Sequence, residues 1–134
     1  LYKYTIIRNP EPLRLRYAWW PNRKWDDKMI IETAKLLLGE HSFKSFCRSR
    51  PGEDDYICKV YNLDWQLNPA GVVFEIEANR FFHQMVRGIV GALIDVGRGY
   101  VSTQDFTNLL KNPIDNSQVY FAPASGLVLD RVNY

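Results

Sequence analysis

The sequence predicts an α+β domain: a mixed, largely antiparallel sheet with helices packed on one face. Three observations predict it. The chain has 134 residues, the length of one domain. Apolar patterns of period 2 and period 3.6 follow one another in the order β, α, β-hairpin, α, α, β. The two central strand patterns are separated only by Asn68-Pro69-Ala70-Gly71, and strands joined by so short a turn run antiparallel. Helices with a single apolar stripe must then bury it against the sheet.

The elements follow in chain order. Tyr2–Ile7 (Y-K-Y-T-I-I) is β-branched and aromatic and reads as a strand, stopped by Asn9, Pro10 and Pro12. Residues 13–20 are aromatic and basic and break at Pro21-Asn22. Asp26 can cap a helix over 27–38, where Ile30, Ala34, Leu37 and Leu38 share one face and Gly39 suits the position after the end. The polar stretch 40–55, with Arg48, Arg50, Pro51 and Gly52, reads as a long loop. Over 57–67 the pattern places Ile57, Tyr61, Leu63, Trp65 and Leu67 on one side, with Lys59 the exception. After the turn, Val72, Phe74, Ile76 and Ala78 continue the alternation. Asn79 can cap a helix over 80–96, with an apolar stripe of Phe82, Val86, Ile89, Leu93 and Val96. Ser102 and Asp105 form a capping box for a helix over 103–111, ended by Asn112-Pro113. Residues 126–134 read as a last strand.

Composition narrows the function classes. Apolar residues make up 46% and charged residues 24%, which argues for a packed core and against disorder. Two cysteines, Cys47 and Cys58, are too few for a disulfide scaffold and read as reduced thiols of a cytoplasmic protein. No Cys/His group has zinc spacing, and no apolar run is long enough to span a membrane. The chain begins at Leu1, without Met or a signal-peptide pattern, and enters a strand at once, which predicts a piece of a longer protein. The net charge of +2 is weakly basic, so any nucleic-acid role must rest on where the charges sit.

Three groups of residues could carry chemistry. On the 80–96 helix Arg80, Gln84 and Arg87 recur at i, i+4, i+7 with His83 beside them. That spacing fits a solvated helix face, or a phosphate or carboxylate contact suited to arginine forks. Gly88 and Gly91 follow; they either permit tight helix–sheet packing or leave a groove for another backbone. A second cluster is Lys44, Arg48, Arg50 and Lys59, and a third is Trp19, Trp20, Arg23, Lys24 and Trp25. Basic residues among aromatics suit unpaired bases, and surface charge with core aromatics explains them as well. Tyr2 and Tyr4 share a strand face as core residues or as a phenol at a cleft rim. No catalytic triad, phosphate-cradling glycine loop or paired-carboxylate motif stands out.

Four ordered blocks carry a resemblance. Tyr2-Lys3-Tyr4-Thr5-Ile6-Ile7 resembles a Y-R-Y-x-I strand. Asp26 through Ile30, Ala34 and Leu37-Leu38-Gly39-Glu40-His41-Ser42-Phe43-Lys44-Ser45-Phe46 resembles LD-x-x-x-M…A-x-x-L-x-G-E-H-D-F-x-x-F. The run from Phe74 to Gly91 resembles F-x-I-x-A-N-A-F-L-H-H-M-V-R-N-I-V-G. Ala122-Pro123-Ala124-Ser125-Gly126-Leu127-Val128-Leu129…Val132-Asn133-Tyr134 resembles A-P-A-x-G-L-x-L-x-x-V-x-Y. Together they resemble the C-terminal domain of the bacterial-type tRNA pseudouridine synthase A family.

The resemblance implies half of a pseudouridine synthase fold. It implies isomerisation of uridine to pseudouridine in the tRNA anticodon stem-loop, at tRNA positions 38 to 40, by a cytoplasmic homodimer without cofactor or metal. By residue, it implies that Arg87 pairs with a catalytic aspartate, that Tyr2 packs on the target base and takes part in proton transfer, and that Leu127 supplies an apolar wall. Arg80, His83, Gln84, Lys44, Arg48 and Arg50 become candidate substrate contacts. The family's R-T-D-A-G-V-H motif, which carries that aspartate, does not occur between Leu1 and Tyr134. The expectation is that it lies upstream and that this chain alone is inactive. Arg80, Gln84 and Gly88 depart from the family pattern, and the loop from Arg48 to Lys59 is unlike the family's. The rival reading is a non-catalytic RNA-binding or dimerisation module.

Overall fold

A computed structural model describes residues 1–114 and 118–129. Its five strands are β1 (Tyr2–Ile7), β2 (Gly39–Ser42), β3 (Ile57–Asn68), β4 (Gly71–Ala78) and β5 (Leu127–Leu129). The helices are α1 (Asp27–Ala34), α2 (Met85–Gly97) and α3 (Thr103–Lys111). The sheet order is β2-β3-β4-β1-β5, and each neighbouring pair is antiparallel. An isolated parallel bridge joins Ile6 to Trp19.

β1 organises the sheet from between β4 and β5. Tyr2 faces Ile76, Tyr4 faces Phe74 and Ile6 faces Val72, so aromatic and branched side chains pair on one face. Tyr4, Ile6, Val72, Phe74 and Ile76 are buried there in one cluster with Ile30 and Ala34 of α1, Val86, Ile89 and Leu93 of α2, and Phe106 of α3. On the other face Lys3 meets Glu75 at 3.4 Å, a surface pair of small worth.

The predicted signals act as expected at several ends. The Asp26 side chain accepts from the Met29 amide at 3.3 Å, and α1 tightens into a 3-10 turn over Lys35–Leu37 before Gly39. Asn68 closes the hairpin by accepting from the amides of Ala70 and Gly71, both at 2.9 Å. A Cβ on Gly71 would lie 2.1 Å from the Ile6 carbonyl oxygen, so only glycine lets β4 start against β1. Ser102 caps α3 by accepting from the Asp105 amide at 3.0 Å. Residues 130–134 of the predicted last strand lie outside the described residues.

Three expectations are corrected. First, the predicted helix over 80–96 begins at Met85. Asn79 does not cap it: its side chain accepts from the Lys59 amide at 2.8 Å and so extends the β3–β4 ladder. Gln84 has φ +60, a left-handed conformation that no preceding helical turn can pass through. Arg80 and His83 are therefore not on the helix, and the i, i+4, i+7 face dissolves. Second, the predicted loop 40–55 contains β2 and a 3-10 turn over Lys44–Phe46. β2 has no strand-forming composition, and its pairing with β3 creates it. Third, the single alternation over 57–67 changes phase at a bulge between Val60 and Asn62. Cys58 and Val60 point inward before it and Trp65 after it, while Ile57 and Tyr61 are exposed.

Asp27 ties three elements together. Its Oδ1 accepts from the indole N–H of Trp25 at 2.8 Å and from that of Trp65 at 2.9 Å. Its Oδ2 takes the guanidinium of Arg8, which also lies over the Trp25 ring at 4.6 Å. Both indoles are buried, and a buried donor left without an acceptor costs about 1–3 kcal/mol. Asp27→Ala is expected to lower the unfolding free energy by about 3 kcal/mol, and Asp27→Asn, which keeps one oxygen, by less; urea unfolding followed by tryptophan fluorescence measures both.

Candidate functional site

The first turn of α2 carries Arg87. Its Nε donates to the Ala122 carbonyl at 2.6 Å, and its own carbonyl accepts from the Ala122 amide at 3.0 Å. This reciprocal pair fixes the stretch 118–123 along α2. Arg87 is half-buried, and among the described residues no carboxylate pairs with it. Beside it stands Tyr4, whose hydroxyl donates to the Pro123 carbonyl at 2.5 Å. Burial pushes the Tyr4 phenol well above its ordinary value, and the Arg87 cation pulls it back only in part. Tyr4 is thus a neutral donor at physiological pH. Leu127 lies opposite Tyr4 on β5.

Tyr2 shares the Tyr4 face one pleat away, half-buried, with its ring edge-on to Phe81 at 4.7 Å. The sequence singled out Tyr2 as the working tyrosine and left Tyr4 open as core. In the structure the Tyr4 phenol also lies within the field of the Arg87 charge. The carbonyls of Ala122 and Pro123 also belong to this site and were not foreseen. The signal for them lay in the two glycines that follow Arg87.

Four other predicted residues converge. Arg48 donates from Nε to Gln84 Oε1 at 3.4 Å and from its amide to the His83 carbonyl at 3.0 Å. Arg50 donates from Nη2 to His83 Nδ1 at 2.8 Å. Arginine is always a donor, so in this contact His83 Nδ1 accepts. The basic loop and the entry to α2 thereby become one unit, closed by Arg48 lying 4.5 Å over the Phe121 ring. Arg80 stands apart, over Phe82 at 4.3 Å. Lys44 opens the 3-10 turn leading toward Arg48, and Lys59 lies 5.7 Å from the Tyr61 ring centre. The tryptophan cluster splits, Trp25 joining the core at Asp27 and Trp19 meeting Tyr120 at 5.9 Å. Among the described residues no group of His, Cys, Asp and Glu could hold a metal ion, and no helix is long and apolar enough to cross a membrane.

Residues 33–134 match the family model described as tRNA pseudouridine synthase. The chain belongs to the tRNA pseudouridine synthase family. It is 34% identical over 134 residues to tRNA pseudouridine synthase A 2 of Bacillus cereus, covering 100% of this chain and 55% of that protein. It is 35% identical over 133 residues to tRNA pseudouridine synthase A of Chlorobium luteolum, covering 99% and 53%. The chain thus spans about half the length of the curated relatives it matches. Tyr2 and Tyr4 precede the family-model span but lie within the aligned length of the Bacillus cereus protein.

In this member of the family the two glycines of α2 have a steric reason. A Cβ on Gly88 would lie 2.0 Å from the Phe46 carbonyl oxygen, and one on Gly91 would lie 1.7 Å from that of Tyr120. The atom in the way is main chain, not a flexible side-chain end, which puts the overpacking cost at the upper end, about 3 kcal/mol, and alanine returns about 1 kcal/mol of helix propensity. Gly91→Ala is expected to lose about 2 kcal/mol in chemical unfolding; unchanged stability would mean that 118–123 does not seat on α2.

Burial also pushes the Cys58 thiol from 9.0 up to about 12, with Arg80 opposing the rise and Cys47 adding to it. The folded state then holds this proton more tightly than the unfolded state. That contribution is full below pH 9.0 and is lost as pH rises through about 12. Tyr4, also raised, acts in the same direction. Urea midpoints should fall between about pH 9 and pH 11, with a shallower fall in Cys58→Ala.

Proposed function

We propose that this chain supplies the arginine-bearing half of an active site that isomerises uridine to pseudouridine in tRNA. The observation that carries the reading is Arg87: a half-buried guanidinium anchored through Nε to the Ala122 carbonyl, with no acid beside it among the described residues. Burying a cation without a partner is costly, and a planar fork suits a carboxylate. A carboxylate brought from outside this chain would complete the pair, and the opposite charge would keep it ionised. The R-T-D-A-G-V-H motif expected of the family is its source in this reading, and the chain by itself is inactive.

The chemistry moves no atom to a second substrate. The N1–C1′ bond breaks, the uracil turns, a C5–C1′ bond forms, C5 loses its proton and N1 gains one. The base must leave the stack and stay enclosed while detached. Tyr2 packs on its face, Leu127 gives an apolar wall, and the neutral Tyr4 phenol and the Arg87 charge fix the floor. Lys44, Arg48, Arg50, His83, Gln84 and Arg80 face the tRNA. The substrate is the anticodon stem-loop at tRNA positions 38 to 40, and the working form is a cytoplasmic homodimer.

The test uses the longer polypeptide that also carries the aspartate motif. Arg87→Ala should reduce turnover by about 1000-fold while tRNA affinity changes by less than about tenfold, and Arg87→Lys, which loses the fork, should recover little. Equal losses in turnover and binding would overturn a catalytic role for Arg87.

A further inference from the structure

An open groove of about 790 Å³ runs beside the C-terminal half of α2. Its walls carry Arg23, Arg48 and Arg98 and the aromatics Trp19, Tyr100 and Tyr120, with Asp95 as the one acid. Three arginines less one aspartate leave +2 in this lining, equal to the net charge of the whole chain. Two other surface hollows differ: one holds Glu11 with Arg14, the other Asp26 and Glu32 with Lys28.

The walls are built, not incidental. Trp19 is held by main-chain bonds to β1: its amide donates to Thr5 at 3.0 Å and its carbonyl accepts from Ile7 at 2.8 Å. Tyr120 is placed by the contact of its carbonyl with the bare face of Gly91. Arg98 is steadied by Asp95 at 2.9 Å and lies over Tyr100 at 4.4 Å. Tyr100 and Tyr120 keep 66% and 52% of their surface exposed, so ring surface remains available on each beside the contacts with Arg98 and Trp19. Arg48 joins this groove to the Arg50–His83–Gln84 unit.

We propose that this groove binds a single-stranded segment of RNA, with phosphates on Arg23, Arg48 and Arg98 and a base stacked at Trp19 and Tyr120. Guanidinium groups supply the salt-dependent part of such binding, and aromatic faces supply a part that tolerates any base. An acidic peptide would use the arginines and leave the aromatic faces idle. The inference rests on the reading of an RNA substrate, and it assigns the strand a second place on this chain besides Arg87, which does not line the groove.

The test titrates this chain with a fluorescein-labelled single-stranded 12-mer of oligouridine at several salt concentrations, with poly-glutamate as competitor. Arg23→Ala and Arg98→Ala should each weaken binding and reduce the log–log salt slope by about 0.7. Tyr120→Ala should weaken binding about fivefold or more with the slope unchanged. Thermal melts of these exposed-site variants should match the parent. Wild-type affinity in all three variants, displacement by poly-glutamate at equal charge, or no binding of the oligonucleotide to the parent chain would overturn the proposal. None of these results would alter the turnover expected of Arg87→Ala in the longer polypeptide, so the two readings fail separately.

Discussion

The approach of one stretch of backbone to one helix governs the rest of this molecule. Residues 118–123 lie along α2 where Gly88 and Gly91 leave it bare, with the carbonyl oxygens of Phe46 and Tyr120 in the space side chains would fill. Each glycine weakens α2 by about 1 kcal/mol relative to alanine. The close approach sets the Ala122 carbonyl against Arg87 and the Pro123 carbonyl against Tyr4. It also carries Phe121 beneath Arg48. The functional groups of three distant parts of the sequence are thus placed by main-chain contacts, which are stiffer than contacts between long side chains.

The charges around that seam are arranged to differ. Arg87 is held by the Ala122 carbonyl oxygen, which orients a guanidinium without neutralising it. Asp95 steadies Arg98 and Asp27 steadies Arg8, so those cations are partly neutralised where they stand. The Tyr4 phenol, buried and bonded to a carbonyl, adds a dipole and no charge. Under the function proposed above, this contrast has a reason: an acid brought from outside this span would meet a cation left uncompensated there.

Much of the fold was legible because its signals are local. The capping residues Asp26 and Ser102 and the Asn68–Gly71 turn each depend on a few neighbouring residues and took the expected form; of the predicted first stripe Ile30, Ala34 and Leu37 are buried, while Leu38, past the helix, is exposed. The failures share a different cause. β2 exists only through its pairing with β3, and the start of α2 is decided by Asn79 serving the β3 ladder and by the left-handed Gln84. The site shows the same division. Arg48 and Arg50 were named in one group and His83 and Gln84 in another, and the structure joins the two across more than thirty residues of sequence. Tyr4 was named with its role left open, and the carbonyls of Ala122 and Pro123 were signalled only indirectly, through Gly88 and Gly91, because main-chain oxygens carry no side-chain chemistry to read.

The bulge at Val60–Asn62 sets how β3 can evolve. Before it, even-numbered residues face the core, and after it the odd-numbered Trp65 does. Exchange of one side chain for another leaves this phase intact. Loss of the extra residue at the bulge would merge the two phases into one alternation and leave Cys58 and Val60 inward, whereas a residue gained between the bulge and the fixed hairpin turn would turn them outward and bring Ile57 inward. The segment should therefore accept varied residues among relatives, and even loss of the bulge, more readily than added residues, with insertions displaced to the exposed loop around Gly52.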